Sequence, residues 1–214
     1  KERYEARNGI LKPLPEKVLQ FGTGVLLRGL PDFFIDKANK KGIFNGSVVV
    51  VKSTTTGGII DFEQQDNLYH HVVKGVVDGK EVNEIYENTS ISRVLVASSQ
   101  WQEIITLSQS PALKIVLSNT TEAGLVFDPN DTELILTPSS FPGKLLSVLW
   151  HRWIHFAEKA NEFGLVILPT ELVPDNGHVL KKIILDLATL QQLPNEFIFW
   201  LNEYNDFCNT LVDR

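Results

Sequence analysis

The sequence has no methionine, only one cysteine and fewer positive than negative charges. With Cys208 alone, no disulfide can form within the chain and a cysteine-based zinc site is excluded, which fits a reducing compartment. The 20 basic and 26 acidic residues give a net charge of -6, so no nucleic-acid partner is expected. No apolar run approaches the roughly 18 residues needed to span a bilayer. We therefore expect no membrane partner and a cytoplasmic location.

The length and composition are sufficient for one folded core. The chain has 214 residues, of which 43% are hydrophobic and 21% charged, which excludes disorder and a miniature disulfide scaffold. No internal repeat, low-complexity tract or linker interrupts the sequence. We therefore expect a single α/β domain over residues 1–214, with residues 1–15 as an N-terminal lead-in.

From residue 16 onward, short β-branched runs alternate with helical patterns. This alternation predicts a Rossmann-like, doubly wound and mostly parallel sheet. Asp78-Gly79 is a strong signal for a tight turn, so an antiparallel hairpin is expected as an insertion at 68–87. The predicted strands span 18–21, 48–51, 92–96, 114–117 and 165–168. Two helices are predicted over 26–38 and 100–109, and a third begins at Pro142. A fourth is capped by Asn176 and is stopped by Pro194, and a last helix covers 197–204.

Ligands of open α/β sheets bind beyond the carboxyl ends of the strands, and the first predicted strand runs directly into a glycine turn. Glycines allow a close backbone approach to a pyrophosphate, and the free amides of a following helix stabilise its charge. The match is incomplete because Leu27 occupies the third glycine position, and a purely structural turn is the alternative. The candidate cofactor-binding residues here are Gly22, Thr23, Gly24, Val25, Leu26 and Arg28.

Three further segments follow predicted strands. Lys52 stands where a carboxylate would accept from the ribose hydroxyls of NAD; it would instead meet the 2′-phosphate of NADP or be solvated. In the segment after the strand at 114–117, hydroxyl and amide side chains would hold a ribose or the nicotinamide, with capping as the alternative. Glu171 would face the same crevice or act as a cap or ion-pair partner. The residues of the middle segment are Asn119, Thr120 and Thr121 for the cofactor and Glu122 near the substrate.

The histidines do not form a metal-binding pattern. His151 and His155 lie four residues apart on a predicted helix, but the sequence offers no third ligand beside them. His70 and His71 are adjacent in a predicted strand and so point to opposite faces. No metal site is expected. Cys208 is expected to be a small buried hydrophobe.

Five motifs in order resemble the mannitol dehydrogenase family of long-chain polyol and sugar-acid dehydrogenases. The resemblance covers the chain from about residue 16 to its end. It implies an NAD-dependent, metal-independent exchange of hydride with the ketone of an open-chain sugar derivative, and the closest branch acts on D-tagaturonate and D-altronate. The motifs are Phe21-Gly22-Thr23-Gly24-Val25-Leu26-Leu27-Arg28, Ser118-Asn119-Thr120-Thr121-Glu122-Ala123-Gly124, Phe141-Pro142-Gly143-Lys144-Leu145, Pro169-Thr170-Glu171-Leu172 with Asn176-Gly177, and Phe207-Cys208-Asn209-Thr210-Leu211-Val212-Asp213-Arg214.

The resemblance also implies that catalysis needs a second, helical C-terminal domain with a lysine acid/base. Asp213 and Arg214 would then lie near the substrate, where the two domains meet. Two positions depart from the family pattern: Lys52 replaces an acidic residue, and Leu172 replaces an oxyanion-stabilising asparagine. The absence of an initiator methionine and the stop within Val212-Asp213-Arg214 predict a cofactor-binding half that is inactive alone. Alternatives are a fructuronate reductase, a mannitol or mannitol-phosphate dehydrogenase, and a non-catalytic nucleotide-binding or redox-sensing module.

Overall fold

The β-branched runs form strands and the longer apolar patterns form helices. The computed structural model describes residues 5–6, 9–10, 13–53, 62, 64–120, 124–131, 133–134 and 136–212. Its strands are β1 (Glu5–Ala6), β2 (Gly9–Ile10), β3 (Glu16–Phe21), β4 (Ser47–Lys52), β5 (Tyr69–Val77), β6 (Lys80–Asn88), β7 (Ile91–Val96), β8 (Ile115–Ser118), β9 (Val166–Pro169) and β10 (Asp206–Phe207). Its α-helices are α1 (Val25–Gly29), α2 (Pro31–Lys40), α3 (Trp101–Ser108), α4 (Phe141–Phe156), α5 (Asn176–Leu190) and α6 (Asn195–Glu203), and a 3-10 helix covers Ala157–Glu162.

Six strands form one parallel sheet in the order β10-β9-β8-β3-β4-β7. The chain therefore winds outward from β3 through β4 to β7, crosses back to β8, and winds outward on the other side. This is the strand order of a doubly wound Rossmann sheet, which confirms the predicted fold class. The crossover point lies between β3 and β8, where Phe21 pairs with Ser118. Polar residues that follow these two strands are thereby brought to one crevice.

Hydrophobic residues fill both faces of the sheet. Every residue of β4 is buried, as expected of a central parallel strand. The larger cluster packs helices α3 to α6 on one face, and its core includes Leu19, Ile104, Leu145, Ile184 and Phe197. The smaller cluster lies on the face covered by α1 and α2, with Val18, Leu27 and Val50 among its members. The glycine turn leaves β3 above this smaller core.

The hairpin insertion is confirmed. Strands β5 and β6 pair in the antiparallel sense, from Tyr69 with Asn88 to Val77 with Lys80. Asp78 and Gly79 both have positive φ, of 52° and 74°, which the two-residue turn requires. At its base the hairpin packs on α2, where the rings of His71 and Phe33 stack with centroids 4.2 Å apart.

One predicted helix is divided in two. The pattern over 26–38 predicts a continuous helix, but α1 ends at Gly29 and α2 begins at Pro31. Leu30 between them has φ -120° and ψ -81°. The residue before a proline is disfavoured in the helical region, so Pro31 starts a new helix rather than continuing the first.

Three expectations for the C-terminal third are wrong in detail. Asn176 is not a cap: Asp175 holds that position with φ 52°, because the Asn176 amide is instead used in bonds to Glu171 and Thr210. Helix α5 ends at Leu190, four residues before Pro194, where the chain turns through the left-handed residue Gln192. Cys208 is half-buried rather than buried, because it follows the short edge strand β10, which sequence patterning missed.

Candidate functional site

The glycine turn leaves β3 at the crossover point and passes against the end of β8. Gly22 has φ 127°, and a Cβ there would lie 2.9 Å from the Asn119 carbonyl oxygen. Glycine is therefore required at this position for two separate reasons. Gly24, at the start of α1, faces open space within 4 Å of its Cβ position. The Arg28 amide donates to the Gly24 carbonyl, so the amides before it lie in the first turn of the helix, where they have no intrahelical acceptor.

A buried polar pair lies beneath this turn. Gln20 and Asp32 are both 0% exposed. The Gln20 side-chain Nε2 lies 3.3 Å from the Asp32 carboxyl oxygen Oδ2 and 3.3 Å from the Gly22 carbonyl, and it donates to both. Within the described residues, Gln20 Oε1 and Asp32 Oδ1 have no hydrogen-bond partner. Burial raises the pKa of Asp32 from 3.8 to about 7, and the Gln20 bond and the Arg28 charge only partly oppose this.

Arg28 is directed toward the base of the hairpin. Its guanidinium lies over the rings of Phe62 and Tyr69, 5.5 and 5.9 Å from the centroids, and the Tyr69 hydroxyl donates to the Arg28 carbonyl at 2.7 Å. Arg28 Nε is buried and has no hydrogen-bond partner in the described part of the chain. Burial, followed by the nearby Asp32 charge, raises the pKa of Tyr69. Arg28, in the last turn of α1, thus links this helix to Tyr69 of β5.

The segments that follow β8 and β9 are joined side by side. The Asn119 side chain donates to the Thr170 carbonyl at 2.6 Å and to its hydroxyl at 3.1 Å. Glu171 is 1% exposed and accepts from the Ser118 hydroxyl through Oε2 at 3.1 Å. Its Oε1 accepts from the Thr120 amide and hydroxyl, both at 2.9 Å. The Glu171 carboxylate therefore orients the segment after β8.

Sequence reasoning missed a cavity beside this segment. It has a volume of about 570 Å³, and its lining includes Ser53, which follows β4, and Thr120, which follows β8. Lys144, in the first turn of α4, is 5% exposed, and its ammonium donates to the Ser139 carbonyl at 2.6 Å. Burial lowers the pKa of Lys144, and the Asp131 charge opposes that shift. The lining residues are Ser53, Thr120, Gly124, Val126, Phe127, Asp128, Pro129, Ser139, Ser140, Phe141 and Lys144.

Two features of the sequence lie at this cavity: Thr120, which follows β8, and the helix-start motif Phe141-Pro142-Gly143-Lys144-Leu145. The buried carboxylate of Asp131 accepts from the Ser139 amide at 2.7 Å and from the amide and hydroxyl of Ser140. Ser140 in turn caps α4 through Gly143. These contacts join residues up to nine positions apart across a loop, so no periodic pattern indicates them.

A second cavity of about 570 Å³ lies beyond β9 and β10. It is lined by 171–175 and 209–212, and Leu211 within it is 98% exposed. The Asn176 side chain joins the two segments: it donates to the Glu171 carbonyl at 3.1 Å and the Thr210 hydroxyl at 2.8 Å, and it accepts from the Thr210 amide.

The structure brings several predicted residues to one edge of the sheet. Gly22 touches the Asn119 backbone, and Thr120 is bonded to Glu171. Lys52 is 7% exposed, so the interpretation as a solvated side chain is wrong. Thr121, Glu122, Asp213 and Arg214 lie outside the described residues.

The described residues contain no group of three or more His, Cys, Asp or Glu side chains placed to hold a metal ion. Nδ1 of His151 contacts the Ser147 carbonyl one turn earlier, at 2.8 Å. Among the helices of the described ranges, none has the length and apolar character needed to cross a bilayer.

The fold and the crevice define a Rossmann domain with a glycine turn at its crossover point. The model of the mannitol dehydrogenase Rossmann domain matches residues 16–214, and the chain belongs to this family. Similar proteins include altronate oxidoreductases of Halalkalibacterium halodurans, 44% identical, and Bacillus subtilis, 41% identical. Each comparison covers 94% of this chain but only 39% and 42% of the relative. The chain thus spans about two fifths of the length of these relatives.

Two solved structures are similar in fold. Mannitol 2-dehydrogenase of Pseudomonas fluorescens, in a ternary complex with NAD and D-mannitol, matches with a TM-score of 0.73 at 23% identity. A D-sorbitol dehydrogenase in substrate-free form matches with a TM-score of 0.73 at 20% identity. Each match covers 91% of this chain and 41% of the other. At these identities the likeness establishes the fold.

Proposed function

We propose that this chain is the cofactor-binding domain of an NAD-dependent tagaturonate reductase, which reduces the ketone of D-tagaturonate to the alcohol of D-altronate. The observation that carries the proposal is the Gly22-Thr23-Gly24 turn at the crossover of β3 and β8, where Rossmann domains bind dinucleotides. The names of the similar altronate oxidoreductases support the substrate. The cytoplasmic location stays a prediction from the single cysteine.

The crevice fits a dinucleotide. Gly24 leaves open space beside the first-turn amides of α1, which suits the close approach of a pyrophosphate. The cavity beside Ser53 and Lys144 follows β4, the strand whose end meets the adenosine ribose in Rossmann domains. Asn119 would then lie toward the nicotinamide, and Thr120, which lines the cavity, would lie between the two ends of the cofactor. Val25, Leu26 and Arg28, all on α1, remain proposed members of the site.

The reaction requires a hydride at the ketone carbon and a proton at its oxygen. NADH held at the glycine turn would supply the hydride. A general acid within hydrogen-bond reach of the substrate oxygen must supply the proton. We place that acid, a lysine, in a C-terminal domain corresponding to the part of the relatives that this chain does not match. Glu171 would contribute by holding the segment after β8, and Glu122, Asp213 and Arg214 by contacting substrate.

Titration of the chain with NADH and NADPH in a calorimeter tests the cofactor proposal. NADH is expected to bind more tightly, and tighter binding of NADPH would favour the role first considered for Lys52. Gly24→Val would fill the open space at the turn and is expected to weaken NADH binding at least tenfold. The matched control is Gly75→Val, because Gly75 also faces open space but lies in the hairpin. Equal affinities of the two variants would contradict the proposed site.

The substrate is tested with a chimera that continues this chain into the C-terminal part of the Bacillus subtilis relative. We expect loss of NADH absorbance with D-tagaturonate and none with the isolated chain. Faster turnover of D-fructuronate, mannitol or mannitol phosphate would favour the sister activities. Sustained oxidation of NADH by the isolated chain would contradict the proposed division of labour. Binding of NADH without turnover in the chimera would favour the sensing module.

A further inference from the structure

The buried pair beneath the glycine turn has two acceptor atoms without a donor among the described residues. Both neighbours of Gln20 Nε2, the Asp32 carboxyl and the Gly22 carbonyl, are acceptors, so the amide orientation is fixed. Gln20 Oε1 and Asp32 Oδ1 are left facing buried surroundings without a donor among the described residues. A buried carboxylate oxygen without a donor is strongly unfavourable, whereas a protonated carboxylic acid carries no charge.

The nearest cation does not neutralise Asp32. Arg28 lies four residues earlier, but a break separates α1 from α2, and its guanidinium is held over the rings of Phe62 and Tyr69. The described residues contain no ion pair between Arg28 and Asp32. Asp36, one turn further along α2, gives the contrast. It is 2% exposed, but it pairs with Lys40 at 2.5 Å and accepts from the Thr89 amide and hydroxyl.

From this geometry we infer that Asp32 takes up a proton when a dinucleotide binds at the glycine turn. The inference rests on the proposed function. The route from ligand to carboxyl is short: Gln20 donates both to the Gly22 carbonyl of the turn and to Asp32. The negative charges of a pyrophosphate at the turn oppose a second negative charge beneath it, so the protonated form of Asp32 is favoured in the complex. The proton comes from solvent, and no covalent bond of the ligand changes.

The sign of the pH dependence follows by linkage. The pKa of Asp32 in the free chain is about 7, and ligand binding raises it further, so affinity is highest at acid pH and falls as the pH rises through neutrality. One pKa unit of coupling corresponds to about a tenfold weaker affinity at about pH 9 than at about pH 6. The charged and titratable groups on the elements around Asp32 include Arg28 on α1, Asp36, Lys37 and Lys40 on α2, Tyr69, His70 and His71 on β5, and Tyr86 and Glu87 on β6. Of these, Arg28 and Tyr69 interact electrostatically with Asp32.

Calorimetric titration with NADH at pH 7, in phosphate and in Tris, measures the protons exchanged. These buffers differ in ionisation enthalpy, so an uptake of about half a proton near the pKa gives different apparent enthalpies. Asp32→Asn is expected to abolish both the buffer difference and the decline in affinity with pH. Asp36→Asn, the matched control on the same helix, is expected to retain both. His70→Gln and His71→Gln are also expected to retain them.

Each contrary outcome has a distinct meaning. If the wild-type chain binds NADH with the same apparent enthalpy in both buffers and with an affinity independent of pH, the inference is overturned, and no variant is needed to show it. Loss of the effect in His70→Gln or His71→Gln, with retention in Asp32→Asn, would assign the proton to a histidine and also overturn it. Failure of NADH to bind at any pH would instead contradict the proposed function together with the inference. Circular dichroism of each variant establishes that it is folded before titration.

Discussion

Two groups of buried polar side chains, one at the amino ends of the strands and one at the carboxyl ends, differ in how completely they are hydrogen-bonded. Arg152 on α4 is 0% exposed and donates to four carbonyls. Its Nε reaches Phe163 at 2.6 Å, Nη1 reaches Ser108 and Ser110 at 2.6 and 2.9 Å, and Nη2 reaches Leu113 at 3.0 Å. These acceptors precede β8 and β9, at the amino ends of the strands.

The group beneath the glycine turn, at the carboxyl ends, is incompletely bonded. In the described part of the chain, three of the five buried side-chain atoms without a partner belong to Gln20, Arg28 and Asp32. An unpartnered buried polar atom costs about 1–3 kcal/mol, so this cluster is unfavourable in the free chain. The difference indicates that the Arg152 group stabilises the fold. Under the proposal made above, the turn group responds to the charge of a bound dinucleotide.

The largest expected change in stability follows from mutation of Arg152, whose side-chain nitrogen atoms all donate hydrogen bonds. Arg152→Met leaves four carbonyls without their donor, and we expect the free energy of unfolding to fall by about 3–5 kcal/mol. Urea denaturation followed by circular dichroism measures this change. Arg93→Met is the control, because Arg93 pairs with Glu16 and Glu103 at the surface and is expected to lose about 1 kcal/mol or less. Equal losses would contradict the structural role of Arg152.

The two glycines of the turn, Gly22 and Gly24, are also expected to differ in how much their substitution changes stability. Gly22→Ala is expected to destabilise the chain by about 2–3 kcal/mol, because a Cβ would meet the Asn119 carbonyl at 2.9 Å in a backbone of φ 127°. Gly24→Ala meets no atom within 4 Å, and because Gly24 is the N-cap of α1 we expect a loss of about 1 kcal/mol or less. Urea denaturation of both variants gives the comparison, and a larger loss for Gly24→Ala would contradict the described geometry.

Regular, local patterns made most of the fold predictable from the sequence. The unbroken run over β4 indicates a central strand because both of its faces are buried, and Asp78-Gly79 indicates the hairpin because the turn itself needs positive φ. The break at Leu30 was missed because an apolar helical pattern continues across it. Asn176 was misjudged because its partner Thr210 is 34 residues away.

The candidate site was predictable only in part. Residues directly after strands were found because the sheet topology brings those positions together. Asp32 was missed because it occupies a helical position with nothing local to mark its burial, and its partner Gln20 is on another element. Lys144 was missed because loop residues, including Asp128 and Ser139, close the cavity around it. Long-range polar contacts of this kind leave no periodicity in a sequence.

In the incompletely hydrogen-bonded group beneath the glycine turn, mutation of Asp32 is expected to raise the free energy of unfolding, whereas mutation of Arg152 lowers it. The pKa of Asp32 is about 7 in the folded chain and 3.8 ordinarily, so its proton contributes stability below about pH 4 that is lost as the pH rises through 7. Asp32→Asn carries no charge, and we expect it to be more stable than the wild-type chain by about 2 kcal/mol at pH 8. The advantage should shrink toward pH 4. Urea denaturation at pH 4 and pH 8 measures the difference in stability between the variant and the wild-type chain. A less stable variant at pH 8 would contradict the conclusion that the buried Asp32 carboxylate is unfavourable.

Glu171 tests whether incomplete bonding is a property of the whole site edge or of the turn group alone. It lies at the carboxyl ends of the strands, yet both of its oxygens accept hydrogen bonds, from Ser118 and Thr120. Glu171→Gln keeps the shape but replaces one acceptor by an amino group facing a donor, so we expect a loss of about 1 kcal/mol in the free energy of unfolding. Glu196→Gln, at an exposed position in the first turn of α6, serves as the control. If Glu171→Gln were as stabilising as Asp32→Asn at pH 8, unfavourable buried carboxylates would be a property of all the residues at the carboxyl ends of the strands, and not of the group beneath the glycine turn alone.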